Sequence, residues 1–171
     1  MVSLPIFLPL LSFFICLSFS KITSHKILSL ISCFIISLSA ILSLFLMINI
    51  AQSNDDFSIF IFKWIASGDL LSNWSIHIDF FSAIMISTVN IVSALVQIYS
   101  IEHMKEEKYK CKFFCYMSLF TFFMLFLVTS GNLLQLYFGW EGIGLCSYLL
   151  IGFWFHKQSA RNAAIKAFIV N

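Results

Sequence analysis

Of the 171 residues, 60% are apolar and 11% are charged, whereas soluble domains carry roughly 25% charged residues. Such a chain has too little polar surface for water, and a net charge of +2 is too small to indicate a nucleic-acid partner. Repeated apolar stretches of about 18 residues or more predict an all-α membrane protein instead. The expected architecture is a multi-pass helical bundle of about five complete transmembrane helices and the start of a sixth, with a small extracytoplasmic β-hairpin between helices 2 and 3. The cysteines (Cys16, Cys33, Cys111, Cys115 and Cys146) are scattered, and those within apolar segments act as small hydrophobes, so they do not report a redox compartment.

The first apolar run, residues 3–20, has Pro5 and Pro9 near its start, where a helix tolerates them. No Lys or Arg precedes it, no small-x-small cleavage site closes it, and further spans follow, so it is assigned as helix 1 rather than as a signal peptide. The polar break Lys21-Ile22-Thr23-Ser24-His25-Lys26 leads into helix 2, about residues 27–48. Its serines (Ser29, Ser32, Ser37, Ser39 and Ser43) fit close helix packing. Asn54-Asp55-Asp56 then ends the helical period, and two β-like runs flank a Ser67-Gly68-Asp69 turn. In the second run Trp74, Ile76, Ile78 and Phe80 alternate with Ser75, His77 and Asp79, a period of two that predicts a strand of a hairpin on the membrane face, with His77 solvated.

Helix 3 is expected at about residues 80–101, with Asp79 placed to cap its positive end first and to serve as a site second. Ser87, Asn90, Ser93 and Gln97 recur at three- and four-residue spacing and share one face, which in lipid must point into the protein and form interhelical hydrogen bonds. The charged run of residues 102–112 is expected as a solvated loop. His103, Cys111 and Cys115 within and beside it lack the paired spacing of a structural zinc site. Helix 4 follows at about residues 113–130, Gly131-Asn132 makes a tight turn, and helix 5 covers about residues 133–155. Residues 156–162 are polar, and a sixth apolar pattern begins at about Ala163.

The chain therefore divides into helices 1 and 2 (1–50), a hairpin loop (51–79), helix 3 with its charged loop (80–112), and a final unit of helices 4, 5 and part of 6 (113–171). Alternating spans bring Lys21, Lys26, Lys105 to Lys112, Lys157 and Arg161 to one side, with Lys63 on the other. The positive-inside rule assigns the Lys-rich side to the cytoplasm or matrix and the hairpin and N-terminus to the opposite compartment. The last apolar segment runs for about nine residues where a span needs about 20, an expected incomplete bundle from a split or truncated gene.

Glu141 is the one acidic residue between Leu133 and Phe155, within Gly139-Trp140-Glu141-Gly142-Ile143-Gly144. A carboxylate at the bilayer centre costs about 2.5 to 3.5 kcal/mol, so it is read as a functional or paired group, here a buried one. It lies fourteen residues from Phe155, or about 21 Å along a helix axis. A carboxylate at that depth is suited to exchanging a proton as a partner moves. Lys166 would sit at a shallower level, and the three glycines allow close approach of another backbone or of water.

The stretch Asn132-Leu133-Leu134 and then Gly139-Trp140-Glu141-Gly142-Ile143-Gly144-Leu145-Cys146-Ser147-Tyr148-Leu149-Leu150-Ile151-Gly152-Phe153-Trp154 resembles the antiporter-like subunit L/chain 5 family of respiratory NADH:quinone oxidoreductase, complex I. The likeness extends upstream through Asp79 with Ser82, Tyr99-Ser100 and Phe113-Phe114, and downstream through Ala163-Ala164-Ile165-Lys166-Ala167-Phe168. The resemblance implies a proton-translocating membrane-arm subunit of the bacterial cell membrane or the mitochondrial inner membrane. It further implies no cofactor of its own, with NADH, quinone, FMN and iron–sulfur clusters handled by partner subunits. Glu141 falls on the family's helix 5 glutamate, which pairs with a lysine on the seventh helix, and Lys166 falls on a sixth-helix lysine, a candidate charge relay. The chain ends before the Arg-x-Gly-Asp that follows in the family, so the expected protein is an N-terminal piece complemented by a C-terminal fragment of the same subunit. Two alternatives stand beside this: a subunit of a multisubunit cation/proton antiporter, and a relic that transports nothing.

Overall fold

The computed structural model describes residues 3–20, 24–53, 56–67, 70–107 and 109–171, without the side chains of Ser67 and Leu70. Lys21 to Thr23, Asn54 with Asp55, Gly68 with Asp69, and Lys108 lie outside the described residues, so the expected Ser67-Gly68-Asp69 turn is not described. The elements in chain order are α1 (Leu4–Phe19), α2 (His25–Ser53), β1 (Phe57–Ser67), β2 (Leu70–Ile78), α3 (Phe80–His103), α4 (Lys110–Val128), α5 (Leu133–Ile151), a 3₁₀ turn (Gly152–Trp154) and α6 (Gln158–Val170).

Among the described residues four helices are long and apolar enough to cross a membrane: His25–Ser53, Phe80–His103, Lys110–Val128 and Leu133–Trp154. The expected fifth complete span is not among them. Residues Leu4–Phe19 form an apolar helix of 16 residues, about 24 Å long, shorter than the ~30 Å hydrocarbon core. Pro5 follows Leu4 in its first turn, where the fixed backbone angle of proline is tolerated.

Consecutive helices alternate in direction. At one end Ile6 of α1, Leu46 and Ile50 of α2, Ala83 and Ile86 of α3 and Leu125 of α4 close around Ile76 and Ile78 of the hairpin. At the other end Cys16 of α1 packs with Leu28 of α2 and with Cys111 and Cys115 of α4. The structure thus puts Cys111 and Cys115 beside Cys16, while His103 stacks on Tyr99. The hairpin is antiparallel, with Phe57 opposite Ile78 and Ile59 opposite Ile76. The alternation read in β2 holds at buried Ile76 and Ile78 and exposed His77, whereas Phe80, read in the same run, starts α3 and is exposed.

Lipid is as apolar as leucine, so burial of apolar side chains against lipid-like surroundings drives little helix association, and packing with interhelical hydrogen bonds must carry it. The α3 stripe supplies those bonds. The Ser87 hydroxyl donates to Ser43 O at 2.9 Å, Asn90 Oδ1 accepts from Ser39 at 2.9 Å, and the Ser93 and Thr121 hydroxyls hydrogen-bond at 2.5 Å. Gln97 accepts from Ser32 at 3.2 Å and donates to Ser118 at 3.3 Å, while Ser12 donates to Ser32 at 2.9 Å. One fully buried cluster of Ser12, Ser32, Gln97 and Ser118 therefore ties α1, α2, α3 and α4 together.

Helix ends around the charged run and before α6 lie beyond the expected ones because side chains outside the apolar pattern extend the helices. The charged run is partly helix end: α3 continues to His103 and α4 starts at Lys110, leaving residues 104–109 between them, and Met104 and Lys110 are buried. Helix α6 begins at Gln158, before the apolar pattern, where Arg161 donates to Gln158 at 2.5 Å and Gln158 donates to Asn162 at 3.1 Å. Those i,i+3 and i,i+4 bonds stabilise a turn that hydrophobic periodicity does not mark.

Candidate functional site

Helix α5 is held at its start by the hairpin. Asn132 caps it, its side chain accepting from Gln135 N at 2.9 Å, while its amide donates to Asn73 O at 2.6 Å and its carbonyl accepts from Ser72 at 3.4 Å. One turn on, Gln135 Oε1 accepts from Ser75 N at 3.1 Å. The His77 N–H donates to Thr129 O at 2.9 Å, and a Cβ on Gly131 would collide with the Ser75 hydroxyl. The α4–α5 turn is therefore clamped against β2, which fixes both the height and the rotation of α5.

Farther along, glycine sets the distance between α5 and α4. A Cβ on Gly139 would lie 3.0 Å from the Leu127 backbone, and one on Gly142 would clash with the Phe123 ring. On the α6 side Gly144 meets the Asn171 side chain, Trp140 Nε1 donates to Asn171 O at 3.2 Å, Tyr148 packs on Phe168 at 5.7 Å between ring centroids, and Gly152 faces Ala164. Gly139, Gly142 and Cys146 are turned inward.

Glu141 points away from that interior. It is exposed, not buried as the sequence pattern predicted, because the small inward face of α5 is used for α4 and Asn171 and rotates residue 141 outward. Tyr137, one turn earlier on the same face, is 61% exposed. Only 22% of the α5 span is buried, against 39 to 44% for the other three. The α-helix runs ten residues from Glu141 to Ile151 before the 3₁₀ turn, about 15 Å rather than the 21 Å of an unbroken helix to Phe155.

The structure does not bring Lys166 to Glu141. Antiparallel pairing of Tyr148 with Phe168 and of Gly152 with Ala164 puts Lys166 near the level of Leu150, nine residues or about 13 Å along the axis from Glu141. The ion pair among the described residues is instead Lys105–Glu102 at 2.9 Å. Asp79 acts as a cap, its carboxylate accepting from Ser82 N at 2.7 Å at the start of α3. The Ser82 hydroxyl and N–H, with His77 nearby, hold the Asp79 carboxyl below the ordinary carboxylate range. Residues the sequence reading missed are Asn132 as an α5 anchor, Gln135, and Ser12, Ser118 and Thr121 as partners of the α3 stripe. An Asn just before an apolar helix is a capping signal that marks the first of these.

A bundle with four candidate membrane-spanning helices, and a lone carboxylate on a glycine-packed one, defines the class as a polytopic helical membrane protein. Residues 64–114 match the family model described as NADH-Ubiquinone oxidoreductase (complex I), chain 5 N-terminus, and residues 130–171 match that described as NADH:quinone oxidoreductase/Mrp antiporter, TM. The chain is 48% identical over 166 residues to NADH-quinone oxidoreductase subunit L of Rickettsia conorii, covering 97% of this chain and 25% of that protein. It is 42% identical over 166 residues to NADH-ubiquinone oxidoreductase chain 5 of Marchantia polymorpha, again covering 97% and 25%. With subunit L of Rhodobacter capsulatus it shares 53% over 120 residues, 66% of this chain and 17% of that protein. The chain belongs to the subunit L/chain 5 family of complex I, is an integral membrane protein with bacterial and mitochondrial homologues, and spans about a quarter of the length of the curated relatives it matches.

Proposed function

We propose that this chain is part of the proton-translocating unit of NADH:quinone oxidoreductase, with Glu141 as a proton-carrying carboxylate on its path. The observation that carries the reading is Glu141 itself, the one acid in α5, exposed on the least buried of the four candidate spans. A carboxylate left facing lipid costs about 2.5 to 3.5 kcal/mol, so the face bearing Tyr137, Glu141 and Leu145 is read as one covered by protein, either further membrane-arm subunits or a C-terminal fragment of the same subunit. A partner cation there would complete the charge pair. Lys166, at its separate level, serves as a relay toward the Lys-rich side, and Asp79 remains a secondary candidate behind its capping role.

On this reading α1 completes a fifth span with its flanking residues, the hairpin lies on the extracytoplasmic side, and the Lys-rich loops face the cytoplasm or matrix. Helices α1 and α2 (1–50), the hairpin loop (51–79), α3 with its loop (80–112) and the antiporter-like unit (113–171) act as successive modules. Redox chemistry with NADH, FMN, iron–sulfur clusters and quinone belongs to partner subunits, and the chain contributes proton movement driven by it.

Glu141→Gln removes the exchangeable proton while keeping size and helix packing. In membranes from a strain carrying that substitution, proton pumping is expected to fall more than quinone reduction does. Unchanged pumping per quinone reduced would remove Glu141 from the path. The match over residues 130–171 to a model that also describes Mrp antiporters favours one second reading, a subunit of a multisubunit cation/proton antiporter. Sodium-dependent proton exchange by membranes that carry the chain and lack quinone reductase activity would select it.

A further inference from the structure

At the Lys-rich end, a cleft of about 310 Å³ opens between the start of α4, the end of α5 and the start of α6. Its volume is at the small end of the ~300–1,000 Å³ usual for small-molecule sites. Two cations converge on it from different helices, Lys112 of α4 and Arg161 of α6, and among the described residues no acidic side chain lines it. In the neighbouring acidic run Glu102 pairs with Lys105, Glu107 accepts from Trp154 Nε1 at 2.9 Å, and Glu106 does not line the cleft. Lys112 Nζ sits 5.0 Å from the centroid of the Tyr109 ring, and Arg161 spends one donor on Gln158, so both cations are oriented at the rim. Tyr116, Tyr148 and Phe153 supply the walls.

We propose that this cleft binds the phosphate headgroup of an anionic phospholipid. A guanidinium and an ammonium are the groups that recognise phosphate, the first by paired N–H donors and the second as a point charge. Tyrosine hydroxyls add donors. The cleft lies at the ends of two apolar spans, the level at which tyrosines, basic residues and lipid phosphates meet. A freely dissolved anion would need only the cations, whereas the aromatic walls match the glycerol and the first acyl carbons. Basic pockets between helices on this side of a membrane hold headgroups by the same combination. The site is independent of the role given to Glu141.

The test uses the chain in its native membranes, solubilised and reconstituted into phosphatidylcholine nanodiscs doped with a photoactivatable phosphatidylglycerol. Adducts are expected on peptides containing Tyr116 or Tyr148. In Lys112→Gln/Arg161→Gln labelling should fall roughly thirty-fold, from the usual contribution of two basic residues at a membrane surface. Lys112→Arg/Arg161→Lys and Lys157→Gln should keep it, the last being a cation of the same surface that does not line the cleft. Equal labelling by a photoactivatable phosphatidylcholine would overturn the proposal, since neutral lipid would then fill the cleft as well. So would displacement by inorganic phosphate, which would make it a free-anion site, or an equal loss in Lys157→Gln, which would make it diffuse surface charge. Where the double variant fails to assemble, the comparison of the two lipid probes on the unaltered chain decides.

Discussion

Asp79 shows how one side chain sets a helix boundary and a pH response. Its carboxylate takes the orphan N–H of Ser82 at the start of α3, at the positive end of the helix dipole. Asp79→Ala should cost about 1 kcal/mol, the usual value of a lost cap, and Asp79→Asn less, because asparagine caps nearly as well. Hydrogen bonds from Ser82 lower the folded-state pKa, so the stabilisation is complete above the unfolded value near 3.9 and is lost as pH falls through the folded one. Thermal unfolding of the detergent-solubilised chain, followed from neutral to acid pH, should show that acid loss in the native protein and not in Asp79→Asn. The cap was legible because Asp precedes a helical pattern. The outward turn of Glu141 was not, since a lone acid in an apolar run marks depth and says nothing of which neighbour covers it.

At the scale of the element, α5 is positioned from outside itself. Its mean composition resembles any apolar span, yet Asn132 and Gln135 tie its first turn to Asn73 and Ser75 of β2, sixty residues earlier. Asn132→Ala removes a cap and a cross-element bond together, with an expected cost of about 1 to 2 kcal/mol. Hydrogen exchange should speed at the Gln135 amide, which loses its acceptor, and along β2. Protection equal to that of the native chain would show that the clamp carries no load. A hairpin and a helix start were both readable from alternation and turn residues. Their contact was not, because it is made by single polar side chains across a long sequence separation.

For the whole molecule, the buried cluster of Ser12, Ser32, Gln97 and Ser118 is the point where four helices meet. Gln97→Leu keeps the volume and removes two bonds averaging about 0.6 kcal/mol each in a membrane, so a loss near 1 kcal/mol is expected in detergent unfolding. The serines still bond one another, which limits the damage. From its apolar runs alone the sequence determined the helices and the membrane class, because a segment that must satisfy its backbone in lipid has to be a helix. Three- and four-residue polar spacing determined that one face of α3 turns inward. Only the tertiary structure decided which serines answer that face, that α1 is too short to span by itself, that Lys112 and Arg161 share a cleft, and that Glu141 looks outward. Periodicity reports the direction of a side chain relative to its own helix axis, and what lies in that direction depends on how the other helices pack.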